Sequence, residues 1–331
     1  MIERETQPEA AEDQLRIAGI HQIRMPMPLP LDTVQAYALE TDDGWVLIDS
    51  GFPSEEAQQI LTGELERVCG SLDNIRAVII SHWHPDHSGF AGWFQQISGA
   101  DVYVHELDWE RVKRIGDGKQ PRPDDVGELY GQIVEQTGFS WDVARRDVDL
   151  LRYPVERPTA VRGGEQLTFG STTLELVWTP GHTDGHICVF DPDRNILFSG
   201  DHLLARITPH VGIWSRDGEN PLLQFEKSLG IIERLNPSLA LPAHEAVIDH
   251  PAERAGVIRE HHQGRRQLVL DAMGSEAKVA KDISDLVFKG RTGPAQEFFA
   301  LAETLCHLEA LVIEGGVERV GPEGDLRYRV C

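Results

Sequence analysis

The sequence predicts an α/β layered domain over residues 17–250 and a separate helical domain over 251–331, and three observations carry that reading. Upstream of residue 250, short β-branched runs alternate with helical stretches and turn signals, the pattern of strands interleaved with helices. Ligand-type side chains recur just past the ends of four of those runs, where α/β sheets place their binding groups. The charge also shifts along the chain. Residues 1–250 hold 20 basic and 41 acidic side chains, a net of −21, against 11 and 13 in the tail, a net of −2. The whole 331-residue chain carries −23, a balance that argues against a broad polyanion-binding surface.

In chain order, residues 1–16 form a polar, acidic tail without the basic-then-apolar order of a signal peptide. Strands are expected at 35–39, 45–48, 77–80 and 102–105, then at 174–177, 187–190, 196–198 and 239–241. Helices are expected near 54–69, 88–98, 106–116, 125–137 and 221–235, the first opened by Ser54 as an acceptor ahead of Glu55 and Glu56. The run from Asp191 to Asn195 reads as a hairpin turn. Residues 106–160, richer in helix and charge, read as an insertion between two strand-rich halves; its Trp109, Tyr130, Phe139 and Trp141 suit either a lid or a self-packed helix pair. Beyond 251, helices near 251–273, 275–287 and 295–314 lead to a hairpin of 317–320 and 326–330, a winged-helix-like unit. Cys69, Cys188, Cys306 and Cys331 are scattered without a framework spacing, which points to a reducing cytoplasm. No run of about 18 apolar residues suggests a membrane span.

The histidines carry the chemistry. Ser81-His82-Trp83-His84-Pro85-Asp86-His87 follows an apolar strand and offers four ligand-type side chains in six residues. Imidazole nitrogen with carboxylate oxygen suits Zn2+, and also Mn2+ or Fe2+, whereas Ca2+ wants oxygen alone. Pro85 forces a turn, so His82 and His84 can address one centre while Asp86 and His87 address a second. His182, Asp201 and His244 each follow a further expected strand. A solvated His/Asp cluster is the bland alternative, and four strand ends bearing ligands make chance a poor account.

The signature His82-x-His84-x-Asp86-His87, then Gly181-His182, Gly200-Asp201 and Ala243-His244, resembles the binuclear metallo-β-lactamase superfamily, and Asp49-Ser50-Gly51 matches its earlier Asp-x-Gly element. The resemblance covers about residues 17–250 and implies a four-layer αββα sandwich. The tail is similar to a winged-helix appendage found in one branch, which contains endoribonucleases. By the same resemblance His82, His84 and His182 would hold one metal ion and Asp86, His87 and His244 another, with Asp201 bridging. Asp49 and His186 would support the ligands from behind. His84 stands where the redox di-iron branch usually has Glu, which disfavours an oxidoreductase; the filled Asp86 position departs from the true β-lactamase branch.

Two such ions would make hydroxide available at neutral pH, so no Ser or Cys nucleophile is needed. Cys188 lies in an expected strand and no GxSxG elbow is present. Asp86 is the expected catalytic residue, as ligand and proton shuttle. Arg206, His210 and Trp214, on the loop after Asp201, are candidates for orienting substrate. The expected reaction is hydrolysis of a small organic substrate: an ester, thioester, lactone or similar activated carbon centre. An endoribonuclease or phosphodiesterase is the runner-up, and a hydrolytic dehalogenase of an activated aromatic is chemically open. The tail carries no polycationic face and suits dimerisation or packing better than nucleic acid. His261-His262, on a charged helix, reads as solvated.

Overall fold

The computed structural model describes residues 15, 18–28, 31–115, 128–139, 153–214, 216, 218–290, 293–322 and 326–331. Apart from Leu15, the expected polar tail 1–16 lies outside them, as do Trp141 and part of the 321–325 turn. Two sheets face each other. The first is ordered β1 (Ile20–Pro26), β2 (Thr33–Thr41), β3 (Gly44–Ile48), β4 (Ile75–Ile79), β5 (Asp101–His105), β6 (Pro158–Val161), antiparallel over the first three strands and parallel from β3 onward. The second is ordered β11 (Leu239–Pro242), β10 (Ile196–Gly200), β9 (Ile187–Asp191), β8 (Thr172–Trp178), β7 (Gln166–Phe169); only its β10–β11 pair is parallel.

Period-two alternation divides the buried side chains between faces. Tyr37, Leu39, Val46, Ile48, Ala77 and Ile79 meet Leu174, Leu176, Ile187, Val189, Ile196 and Phe198 between the sheets. The alternate residues Val34, Ala36, Ala38, Leu47 and Val78 turn outward to α1 (Glu55–Cys69) and α3 (Ala91–Ser98). On the far side Cys188, Phe190 and Leu197 meet Phe225, Leu229 and Ile232 of α6 (Pro221–Leu235). The result is helix, sheet, sheet, helix, the sandwich expected. Helix α1 starts as its sequence dictates: the Ser54 hydroxyl accepts the Ala57 N–H, and Glu55 and Glu56 face the positive end of the dipole.

Two hydrogen bonds gather the strand ends at one edge. Ile187 N–H donates to the Ser81 carbonyl at 2.8 Å, joining the two sheets beyond β4, and Ala243 N–H donates to the Gly200 carbonyl at 3.0 Å, joining the loops after β10 and β11. The loops carrying His82 to His87, His182, Asp201 and His244 thereby converge.

The insertion holds α4 (Glu106–Ile115) and α5 (Glu128–Thr137). Trp109 packs half-buried on the outer cluster of the first sheet, and the Phe139 ring lies 4.7 Å from Phe298, so both are packing aromatics; the Tyr130 side chain is outside the described residues. The tail forms α7 (Pro251–Met273), α8 (Ala280–Val287), α9 (Pro294–Ile313) and a hairpin of β12 (Val317–Val320) with β13 (Arg327–Val330). Helices α7 and α9 bury Ile258, Val269, Leu301, Leu305 and Leu308 in the cluster that contains α6. The expectation of a solvated His261-His262 pair is corrected here. Residues 255, 258, 262, 269 and 273 share the buried face of α7, so His262 is 1% exposed while His261 faces solvent. Among the described residues no helix is long and apolar enough to cross a membrane.

Candidate metal centre

The loop after β4 is short of secondary structure until α2 (Pro85–Ser88), where Pro85 occupies the first helical position and His84 stays extended at φ −57°, ψ 146°. That turn points His82 and His84 one way and Asp86 and His87 another. Nε2 of His82 and Nε2 of His182 stand 2.8 and 3.1 Å from Nδ1 of His84. On the other side, Nε2 of His244 lies 3.4 Å from both Asp86 Oδ2 and Asp201 Oδ1, and Nε2 of His87 lies 3.5 Å from Asp86 Oδ2 and 3.7 Å from Asp201 Oδ2. Asp201 Oδ2 also lies 3.5 Å from His182 Nε2. It therefore touches both groups.

The outward nitrogens fix which atoms face inward. Nδ1 of His182 meets the His210 carbonyl at 2.8 Å and Nδ1 of His244 meets the Thr33 carbonyl at 2.7 Å. A carbonyl only accepts, so both rings carry their proton on Nδ1 and turn the Nε2 lone pair inward. Asp49 does the same through a relay. Its carboxylate accepts from Ser81 N–H (2.7 Å), Ser81 Oγ (2.8 Å) and His87 Nδ1 (2.8 Å), and the committed Ser81 hydroxyl is then left to accept from His82 Nδ1 at 3.1 Å. Asp49 sits at φ +58°, a strained conformation for a non-glycine residue that these bonds hold in place. His186, fully buried, accepts the Asp201 N–H at Nε2 (3.2 Å) and so donates from Nδ1 to Thr179 Oγ1 (2.8 Å). Asp49 and His186 stand behind the ligands as the resemblance implies, whereas the sequence offers no sign of Thr33 or His210 as partners, because a backbone carbonyl has no side-chain signature, and Ser81 shows only as the residue directly before His82.

Burial first, then neighbouring imidazoles, holds His82 well below the ordinary histidine range and His84 at about 3; burial also lowers His182. Burial would raise Asp86 and Asp201, but the surrounding histidines outweigh it and keep both carboxyls ionised. Burial acts to lower His87 and His244, yet carboxylates drive both up. The second cluster thus demands positive charge. Buried His87 Nε2 and Asp201 Oδ1 have no hydrogen-bond partner among the described residues, and separations near 3.4 Å match the edge of a tetrahedron about an ion with bonds of about 2.1 Å. Three sets of donor atoms, from His82/His84/His182, His82/His87/Asp201 and Asp86/His87/His244, each gather within 4.8 Å. The residues fit metal ions.

Of the other candidates, Arg206 is exposed, with its Nε 3.4 Å from Glu245 and its N–H on the same carboxylate at 2.8 Å. His210 reaches the centre through its carbonyl, and its ring stands 5.0 Å from Phe299. Trp214 stacks on Phe298 at 5.4 Å. His105 is structural, meeting the Arg162 carbonyl and the Leu107 N–H and stacking on Trp178. Gly200 leaves no room: at φ +50°, a Cβ there would lie 2.8 Å from both His186 Nε2 and the Ser81 side chain. Gly200→Ala is expected to weaken zinc binding by roughly tenfold or more, read by chelator competition; unchanged affinity would show that these neighbours yield freely.

The sequence profile of the Metallo-beta-lactamase superfamily matches residues 29–244. The chain belongs to that superfamily. A second profile, the metallo-beta-lactamase-like C-terminal domain, matches residues 267–331. Among solved members, a metallo-beta-lactamase family protein from Thermus thermophilus is 31% identical at a TM-score of 0.80, covering 95% of this chain and 99% of that one. A probable metallo-hydrolase of Bacillus subtilis is 24% identical over 319 residues, 89% of this chain and 92% of the relative. An atrochrysone carboxyl ACP thioesterase of Aspergillus fumigatus is 22% identical over 261 residues, 78% of this chain and 66% of the relative. Within the superfamily this chain is a metal-dependent hydrolase, with His and Asp clusters suited to binding metal ions.

Proposed function

We propose a binuclear metallohydrolase that cleaves an activated acyl carbon (ester, thioester or lactone) in a small organic substrate. The single observation behind it is that Asp201 lies within ligand distance of both groups of donors. His82, His84 and His182 would hold one ion and Asp86, His87 and His244 the other, with Zn2+ first and Mn2+ or Fe2+ suiting the same donors. When bound, two such ions supply a nucleophilic hydroxide at neutral pH and a Lewis acid for the developing oxyanion. The chain supplies the rest. Asp86 turns Oδ2 to His87 and His244, which leaves the ionised Oδ1 to take the proton given up by the attacking water and pass it to the leaving group. Asp49, Ser81, Thr33 and His210 hold the rings of His87, His82, His244 and His182 in one tautomer and orientation, and His186 holds the Asp201 backbone by accepting its N–H. Arg206, exposed on the loop after Asp201, is assigned to substrate contact.

The thioesterase among the relatives supports acyl chemistry. Charges in the tail support a small substrate over nucleic acid: Lys281 is paired with Asp285, and Lys278 donates to the Met273 carbonyl. We assign the three tail helices and hairpin, a winged-helix-like unit, to packing or self-association, and the protein to the cytoplasm.

The test is turnover by zinc- or manganese-loaded protein of p-nitrophenyl esters, acyl-glutathiones, lactones, bis-p-nitrophenyl phosphate and single-stranded RNA, with a metal-stripped control. Ester or thioester turnover should dominate and vanish on stripping. Asp86→Ala and His182→Ala should each abolish it, the latter with loss of metal. Phosphodiester turnover in large excess over ester turnover would overturn the reading in favour of a nuclease.

A further inference from the structure

The loops that bring His82 and His84 to His182 belong to different sheets, one following β4 and the other β8. One backbone bond, from the Ile187 N–H to the Ser81 carbonyl at 2.8 Å, ties the two loops at their base and leaves the stretch from Trp83 onward to be held by other means. A side chain from a third element spans the gap. Asp108, in the first turn of α4, is 1% exposed. Its Oδ2 accepts the Trp83 N–H and the Thr183 hydroxyl, each at 2.9 Å, and its Oδ1 accepts the Gly185 N–H at 2.8 Å.

Those three donors are placed tellingly. Trp83 lies between His82 and His84; Thr183 follows His182, and Gly185 precedes His186. The fit is close, since a Cβ on Gly185 would stand 2.6 Å from Asp108 Oδ1. The donors are also all neutral, so burial pushes the carboxyl up to about 7 against the three hydrogen bonds. A group kept buried at that cost in desolvation needs a return elsewhere, and the spacing of three imidazoles is the one thing it touches on both sides.

We propose that Asp108 is a positioning residue of the metal centre, whose carboxylate clamps the His82/His84 loop to the His182/His186 loop and sets the separation of the three-imidazole group. This rests on the metal-binding reading given above. Asp108 meets neither substrate nor ion; it acts through the backbone of Trp83 and Gly185 and the hydroxyl of Thr183.

Asp108→Asn tests it with little change of volume. A carboxamide places an NH2 against either the Gly185 N–H or the Trp83 N–H, donor to donor, so one tie is lost whichever way it turns. Zinc affinity, measured by competition with a chromogenic chelator, should fall about 10- to 100-fold, the range for losing a partner behind a ligand. The melting temperature of the metal-free protein should change little. Thr183→Val, which removes one tie of three and keeps the carboxylate, should lower zinc affinity by a smaller factor. Wild-type zinc affinity in the Asn variant would overturn the role of Asp108, as would a loss of affinity matched by an equal loss of metal-free stability. Should the Asn variant fail to fold, unchanged zinc affinity in Thr183→Val overturns it instead. Wild-type protein that binds no zinc would remove the metal centre itself, a different failure.

Discussion

Asp201→Ala is expected to cost the protein both its metal and its activity. In the arrangement proposed above each other ligand serves one ion, but the Asp201 carboxylate stands 3.4 Å from His244, 3.7 Å from His87 and 3.5 Å from His182, so its loss is felt on both sides. The remaining histidines would then have to share a buried site with one carboxylate, Asp86, to balance two divalent ions. Removing a partner behind a ligand typically lowers activity or affinity 10- to 100-fold, and removing a shared ligand should exceed that, to about a thousandfold or more in turnover. With two ions per wild-type chain, as the proposed binuclear centre requires, elemental analysis of the purified variant should show one or none. Asp201→Asn, which keeps shape and loses charge, should fall nearly as far, because the buried imidazoles need the negative charge as much as the oxygen. Full metal content with full turnover in either variant would refute the shared-ligand arrangement.

Asp201 was readable because of where it sits. Every candidate ligand follows a strand with a strong apolar signal: β4, β10 and β11 are buried at nearly every residue and read as short apolar runs, and β8 alternates buried with half-buried residues. Strands that escaped notice are of another kind. β6 and β7 lie at sheet edges with exposed residues and, in β6, an initial Pro158; β1, also an edge strand, carries a half-buried His21 and an exposed Arg24 and ends at Pro26. Edge strands bury one face weakly, so their composition reads as loop.

The same physics explains what was legible in the site. Ligand side chains have names; what orients them often does not. Thr33 and His210 act through carbonyls, and Asp108 shows in the sequence only as an acid suited to a helix N-terminus. His262 shows the converse error. Its neighbours Glu260, His261, Arg265 and Arg266 make the helix look solvated, but periodicity, not local charge, decides which side is buried. Arg266 reconciles the two by turning its guanidinium to Glu226, at 2.6 and 2.8 Å, at the margin of that buried face.

The burial of His262 against His307 has a consequence for acid stability. The rings of these two residues, from α7 and α9, lie 5.5 Å apart, with Nδ1 and Nε2 at 3.4 Å, and Phe225 of α6 closes over His262. Burial first, then its partner His307 together with His261, Arg266 and Arg265, pushes His262 down to about 3. Burial first, with Arg266, Arg265 and His261 adding to it and the Glu303 carbonyl opposing, pushes His307 down to about 4. In the unfolded chain both titrate near the ordinary 6.5. Between pH 6.5 and about 4 the unfolded state therefore binds up to two more protons than the folded state, and stability must fall as pH falls through that window. At full difference each proton contributes about 1.4 kcal/mol per pH unit, so the pair gives a slope on the order of 2–3 kcal/mol per pH unit. The check is urea unfolding of metal-free protein at a series of pH values from 7 to 4.5, in parallel with a His262→Phe/His307→Leu variant. The metal-centre histidines titrate in both proteins and drop out of the difference. The variant should lose the two-proton part of the slope, whatever its stability at pH 7, and coincident slopes would mean that this pair is not held neutral in the fold.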